Sequence, residues 1–140
     1  MTHILFLDFD GVLHPTSGPT SNQLIHAQTL ADCLSPHVCE VVISSSWRHS
    51  WTIPELLSYL PKDLACKVTG ATGDAYIGAH ARFHEIQARL DAHPRPGGIS
   101  WRALDDCGWE FPKGTTHLIA CNPNTGLTAK ELQEIRRWLR

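Results

Sequence analysis

Apolar residues fall in short blocks along the chain, and each block follows one of two periods. Residues 4–7 form an unbroken apolar run that stops at Asp8 and Asp10, with Gly11 directly after, as a buried strand ending in a polar loop does. The turn formers of 14–20 follow, and Leu24, Ile25, Ala27, Leu30, Ala31 and Leu34 then recur at helical spacing until Ser35-Pro36 closes the helix. Residues 38–43 predict a second strand, which ends at Ser44-Ser45-Ser46. A short helix is predicted over 53–60, with Pro54 in its first turn and Pro61 at its end. A brief strand is expected over 64–68 and a loop over the glycine-rich 69–78. Phe83, Ile86 and Leu90 set a helix over 79–90, and 99–104 then give another core strand, ending at Asp105-Asp106. A last strand is predicted over 116–120 and a turn over 122–126. Thr128 and Glu131 then stand at capping-box spacing before Leu132, Ile135, Trp138 and Leu139 on one helix face.

Strands alternating with helices imply parallel pairing, and therefore a three-layer, doubly wound α/β sheet with helices on both faces. Ligands of such sheets bind beyond the carboxyl ends of the strands, where Asp8, Asp10, Ser44, Asp105 and Asp106 converge despite their separation in sequence. Residues two apart share a strand face, so Asp8 and Asp10 project together while Gly11 lets the backbone turn close to a ligand. Two close carboxylates repel unless a cation or a shared proton intervenes, which points to a metal site or to acid/base chemistry.

The 140 residues, 42% hydrophobic and 19% charged, fit one domain over 1–140 with an adequate core. The formal net charge of -2 supplies no general field toward nucleic acid or an anionic membrane. Five cysteines without a CxxC pair, an odd number, indicate reduced thiols rather than a disulfide framework or a zinc knuckle. His80 and His84 share i,i+4 spacing without the glutamate of a zinc protease helix, so zinc is not expected. No signal-like segment opens the chain and no apolar run nears the roughly 20 residues of a membrane span, so the expected location is the cytoplasm.

Four ordered elements carry a resemblance: Asp8-Phe9-Asp10-Gly11-Val12, the strand end at Ser44, the basic Arg82, and Asp105-Asp106. In these the chain resembles the haloacid dehalogenase (HAD) superfamily of phosphohydrolases, whose fold is a Rossmann-like core. The resemblance implies a phosphoric monoester hydrolase in which Asp8 is the nucleophile that forms an aspartyl-phosphate and Asp10 is the acid/base. It implies Mg²⁺ as cofactor, held by Asp8, by the Asp10 carbonyl and by Asp106 with Asp105 in support. Ser44 would donate to a phosphoryl oxygen and Arg82 would neutralise charge on the transferring group. Many relatives carry lysine in that third motif; Arg82 is chosen because it opens the helix before the Asp105-Asp106 strand, and Lys67 is the competing cation. Around this centre Gly11, Ser45 and Arg48 are the expected substrate-binding residues, and Trp47 packs at the rim or stacks on a base.

Larger members of that superfamily carry an inserted cap domain, whereas here the segments between motifs hold little beyond core helices, so minimal or no cap and an open cleft are expected. The chain is similar to the small HAD domains associated with RNA-repair proteins, which implies a phosphorylated substrate that is a small molecule or a polynucleotide end, with no membrane and no obligate protein partner. The alternative is a non-catalytic phosphate- or partner-binding domain of HAD or receiver type. A receiver's acceptor aspartate ends a central strand, however, and Ile43 is followed by serines.

Overall fold

The computed structural model describes residues 1–140. Five strands make one sheet: β1 (Thr2–Leu7), β2 (Glu40–Ile43), β3 (Val68–Ala71), β4 (Ile99–Asp105) and β5 (Leu118–Ala120). Every pair is parallel and the order is β3-β2-β1-β4-β5, so the first strand of the chain is the centre of the sheet. A central parallel strand is buried on both faces, which is why residues 4–7 read as a continuous apolar run rather than an alternating one.

The two faces are covered by different helices. Leu5, Leu7, Val41, Ile43 and Leu104 pack with residues of α1 (Ala27–Leu34), α2 (Ile53–Ser58), α3 (Lys62–Ala65) and α5 (Ala129–Leu139). Ile4, Phe6, Val42, Trp101 and Ala103 point the other way and meet Ile86 and Leu90 of α4 (Ala81–Asp91) together with Phe111. The expected α/β architecture of three layers is the observed one. No domain is inserted between β1 and α1 or between β3 and α4, two of the connections that border the carboxyl edge of the sheet.

Several boundaries differ from the pattern-based reading. Of the strand expected over 64–68, Leu64 and Ala65 belong instead to α3, which starts after Pro61 with Asp63 in its first turn and buries Leu64, and only Val68 is in a strand. The edge strand is β3, which begins at the last residue of the expected strand and runs into the expected loop. Its low β propensity is overridden by pairing, with Lys67 O accepting from Val41 N at 2.9 Å and Ile43 O from Thr72 N at 2.9 Å. Leu24 lies outside α1, at φ 60°, where its N–H bonds the His14 ring instead of a helical carbonyl. Val38 is exposed and precedes β2. The expected capping box forms: Glu131 Oε1 accepts from the Thr128 N–H and hydroxyl, both at 2.8 Å. All five cysteines are unpaired, and no helix is long and apolar enough to cross a membrane.

Ile86 is fully buried and anchors α4 to the sheet. Ile86→Ala should therefore lower unfolding free energy by about 2–5 kcal/mol, read from urea titration; a loss far below that range would mean that α4 does not depend on this contact.

Candidate active site

Strand register assembles the first group of residues. Leu7 pairs with Ile43 on one side and with Leu104 on the other, so Asp8, Ser44 and Asp105 occupy the next positions along three neighbouring strands. The row is stitched by Ser44 N donating to Leu7 O at 2.8 Å and Asp8 N to Leu104 O at 3.1 Å. Leu7, Ile43 and Leu104 face the larger core, so the alternation of a strand aims the following residues at the α4 face.

From that face Arg82, in the first turn of α4, reaches the row. Its Nη1 lies 2.8 Å from Asp105 Oδ2 and 3.4 Å from Asp8 Oδ1. The other Asp105 oxygen accepts from Cys107 N at 2.9 Å, so both of its oxygens are occupied. Asp8 Oδ1 also accepts from Phe9 N at 2.9 Å, while Oδ2 receives no donor. Ser44 is 1% exposed, and its hydroxyl is a buried side-chain polar atom without any hydrogen-bond partner. Leaving such a group unpaired costs about 1–3 kcal/mol, so an orphan at this position marks a place for an external acceptor.

The β1 loop builds the other side. Gly11 takes φ 75°, and a Cβ there would fall onto the Asp106 carboxylate and within 2.8 Å of Thr16 Oγ1. Only glycine lets this loop lie against Asp106. Asp10, with a half-exposed side chain, has both oxygens bonded, Oδ1 to His14 Nε2 at 2.8 Å and Oδ2 to Trp47 Nε1 at 2.9 Å. Leu24 N donates to His14 Nδ1 at 3.1 Å, which leaves Nδ1 without a proton and makes Nε2–H the donor to Asp10.

Electrostatics bind the two sides together. Burial first, and the Asp105 charge second, pushes the Asp8 carboxyl far above the ordinary carboxylate range, against the pull of Arg82. Burial also raises Asp105, partly offset by Arg82 and by the Cys107 N–H. Arg82 itself ends above its ordinary value, because Asp105, Asp8 and Glu85 together outweigh the lowering effect of burial. Asp8 and Asp105 thus share one guanidinium, and the nearby Asp106 adds to their repulsion without a contact to it. Ligand atoms of Asp105, Asp106 and Cys107 lie within 4.8 Å of one another. Burial and the neighbouring carboxylates push the Cys107 thiol up to about 12, while Asp105 and Asp106 bring carboxylate oxygens to the same place. Carboxylate oxygens of this kind suit a hard divalent ion.

The sequence-derived candidates separate into two groups. Asp8, Asp10, Gly11, Ser44, Arg82, Asp105 and Asp106 meet at one edge of the sheet. Lys67 lies before β3, near the opposite edge, with Nζ donating to His37 O at 2.8 Å, so Arg82 is the cation beside the aspartates. Ser45 is fully buried and spends its hydroxyl on Trp47 N, capping a one-turn 3-10 helix at Ser46–His49. The Arg48 guanidinium, expected to meet substrate, is engaged internally: Nε bonds Gly73 O, Nη1 bonds Ser45 O and Nη2 bonds Glu85 Oε1, at 2.8–3.0 Å. Glu85 links Arg48 to Arg82, whose Nε lies 4.0 Å away, and its Oε2 accepts from Tyr76 N at 3.1 Å. Glu85 and His14 are absent from the sequence-derived candidates. The only sequence sign of His14 is its place four residues after Asp10, and Glu85 gives only an i,i+3 spacing from Arg82.

Against known proteins, the family model described as "HAD domain in Swiss Army Knife RNA repair proteins" matches residues 4–132. Neither the curated proteins nor the solved structures gave a match.

Because the Asp8 and Asp105 pKa values are raised by folding, the folded protein keeps protons that the unfolded chain has released. This stability is present below the ordinary carboxylate range and is lost as pH rises from there through the folded values, about 6 for Asp105 and about 9 for Asp8. Without divalent cation, Tm should fall from about pH 4 to about pH 7 more steeply in the wild type than in Asp105→Asn; parallel profiles would contradict the buried repulsion.

Proposed function

Given that the chain belongs to the HAD domains of Swiss Army Knife RNA repair proteins, we propose that it is a Mg²⁺-dependent phosphatase that hydrolyses a phosphomonoester through an aspartyl-phosphate on Asp8. The observation that carries this reading is the strand-end row, in which Asp8 has a donor-free oxygen beside the unpaired Ser44 hydroxyl and the Arg82 guanidinium. That combination is a nucleophile next to two groups suited to phosphoryl oxygens.

In the first step an Asp8 oxygen bonds phosphorus as the ester P–O bond breaks, and Asp10 gives its proton to the leaving oxygen. In the second, a water oxygen bonds phosphorus and passes its proton to Asp10 as the acyl P–O bond breaks. Asp8 returns as a carboxylate and inorganic phosphate leaves. The half-exposed side chain of Asp10 is open to both the leaving group and water, and His14 and Trp47 fix the plane of its carboxyl group. Ser44 and Arg82 hold the phosphoryl oxygens through both steps. Asp8, Asp106 and the Asp10 carbonyl would hold Mg²⁺, which when bound offsets the charge of the carboxylates and of the phosphoryl group. Asp105 has both oxygens committed to Arg82 and Cys107, which supports its role as a brace rather than a ligand.

The absence of an inserted domain leaves the cleft open to a bulky substrate such as a nucleic-acid end. A receiver-like role is disfavoured by the strand order, which runs 3-2-1-4-5 rather than the 2-1-3-4-5 of receivers. With a chromogenic phosphoester and Mg²⁺, the wild type should turn over, chelator should stop it, and Asp8→Asn should be inactive. Ser44→Ala should lower kcat/KM by about 100-fold. Retained hydrolysis in Asp8→Asn would remove the nucleophile assignment.

A further inference from the structure

Next to Asp10 the surface opens into a groove of ≈ 880 Å³, of whose walls the proposed chemistry uses only Asp10 and its partner Trp47. Gln23 comes from the connection after β1, Gln28 from α1, Trp47 and Trp51 from the segment after β2, and Tyr59 from the end of α2. Trp51 and Tyr59 are 41% and 53% exposed and stand edge to face at 5.9 Å, so both keep ring surface toward solvent. Trp47 joins the groove to the chemistry, since its indole N–H holds Asp10 Oδ2.

The charge of the groove is as informative as its rings. Asp10 is the one charged residue on its walls, and no Lys or Arg lines it. The phosphate-facing cation, Arg82, belongs to the α4 side, whereas the groove opens on the α1 side. A substrate whose phosphorus faces Asp8 and whose leaving oxygen faces Asp10 therefore projects its remainder into an aromatic, uncharged channel. Amides complete the surface: the Gln23 side chain has no intramolecular partner, and Gln28 gives Nε2 to Asp32 while its carbonyl oxygen stays free. Exposed rings with a nearby amide match a flat heterocycle with polar edges, which stacks on one and hydrogen-bonds to the other. A sugar phosphate has no such face, and a chain of further phosphates would meet no cation on these walls.

We propose that this groove is the leaving-group subsite and that it holds one nucleoside, the one whose phosphate is removed. The proposal rests on the phosphatase reading and narrows it: recognition ends at the terminal nucleoside, so a mononucleotide and an oligonucleotide end are equivalent substrates.

The test compares adenosine 3′- and 5′-monophosphates, ribose 5-phosphate and oligonucleotides phosphorylated at either end. At least one nucleotide should exceed ribose 5-phosphate in kcat/KM by about 10- to 100-fold. Extending that nucleotide to an oligonucleotide should change kcat/KM less than about threefold. Trp51→Ala/Tyr59→Ala and, separately, Gln23→Ala should shrink the nucleotide preference mainly through KM, with unchanged circular dichroism. Ribose 5-phosphate used as well as every nucleotide would overturn the subsite while leaving the phosphatase intact, and so would a large gain on adding further nucleotides. Should no phosphoester be turned over, the phosphatase reading fails, and saturation-transfer NMR still tests the groove. Adenosine but not ribose should then receive transfer, and Trp51→Ala/Tyr59→Ala should abolish it; no transfer to adenosine would overturn the proposal.

Discussion

Mutual repulsion among Asp8, Asp105 and Asp106, relieved at Asp8 and Asp105 by the single guanidinium of Arg82, is the constraint around which the carboxyl edge of the sheet is built. Parallel pairing makes the repulsion unavoidable. Once Leu7 is hydrogen-bonded between Ile43 and Leu104, the residues that follow are forced into one row, and two of the three are acids. The rest of the α4 face serves to hold the counter-charge in place: Ile86 and Leu90 dock the helix, and Arg48 and Tyr76 N occupy Glu85, so that Arg82 remains directed at Asp105 and Asp8. A buried charge cluster left this unbalanced is weak as a stabilising device and strong as a receptor for a divalent cation and a phosphate.

The β1 loop then divides labour between the faces. Asp8 stays on the α4 side with Arg82, while Asp10 is held outward by a neutral His14 and by Trp47. Gly11 makes both possible because its positive φ brings the loop against Asp106 without a side chain in the way. Two carboxylates two residues apart thereby occupy different environments, one buried among charges and one half open to water beside an aromatic groove. Different environments for neighbouring acids are what nucleophilic and acid/base roles require of one short motif.

Much of this was legible in the sequence because strand ends in an α/β sheet are marked by abrupt changes from apolar to polar. Asp8, Ser44 and Asp105 each directly follow such a run, so their convergence could be inferred from topology alone. Arg82 was readable from its position at the start of a periodic helix, and Lys67 fell away only when the structure put it before β3. What stayed hidden depends on side-chain direction and tertiary pairing. β3 contains Gly70 and small residues and exists because β2 offers it hydrogen bonds, while Leu64 and Ala65 complete a helix that starts after Pro61 where local apolar content suggested the start of a strand. Arg48 follows the serines closely, as a phosphate ligand would, yet Glu85, distant in sequence, takes it. Likewise, nothing in the spacing of His14 reveals that its ring is clamped by the Leu24 N–H, because that contact depends on a positive φ at a leucine.

Acid-quenched mass spectrometry, on Asp10→Asn incubated with Mg²⁺ and a hydrolysable phosphoester, would examine the nucleophile itself. A gain of one phosphoryl group confined to the peptide that contains Asp8, and absent from Asp8→Asn, is the result the geometry predicts. A phosphoryl group carried by another residue, or wild-type turnover with Asp8 left unmodified throughout, would contradict it.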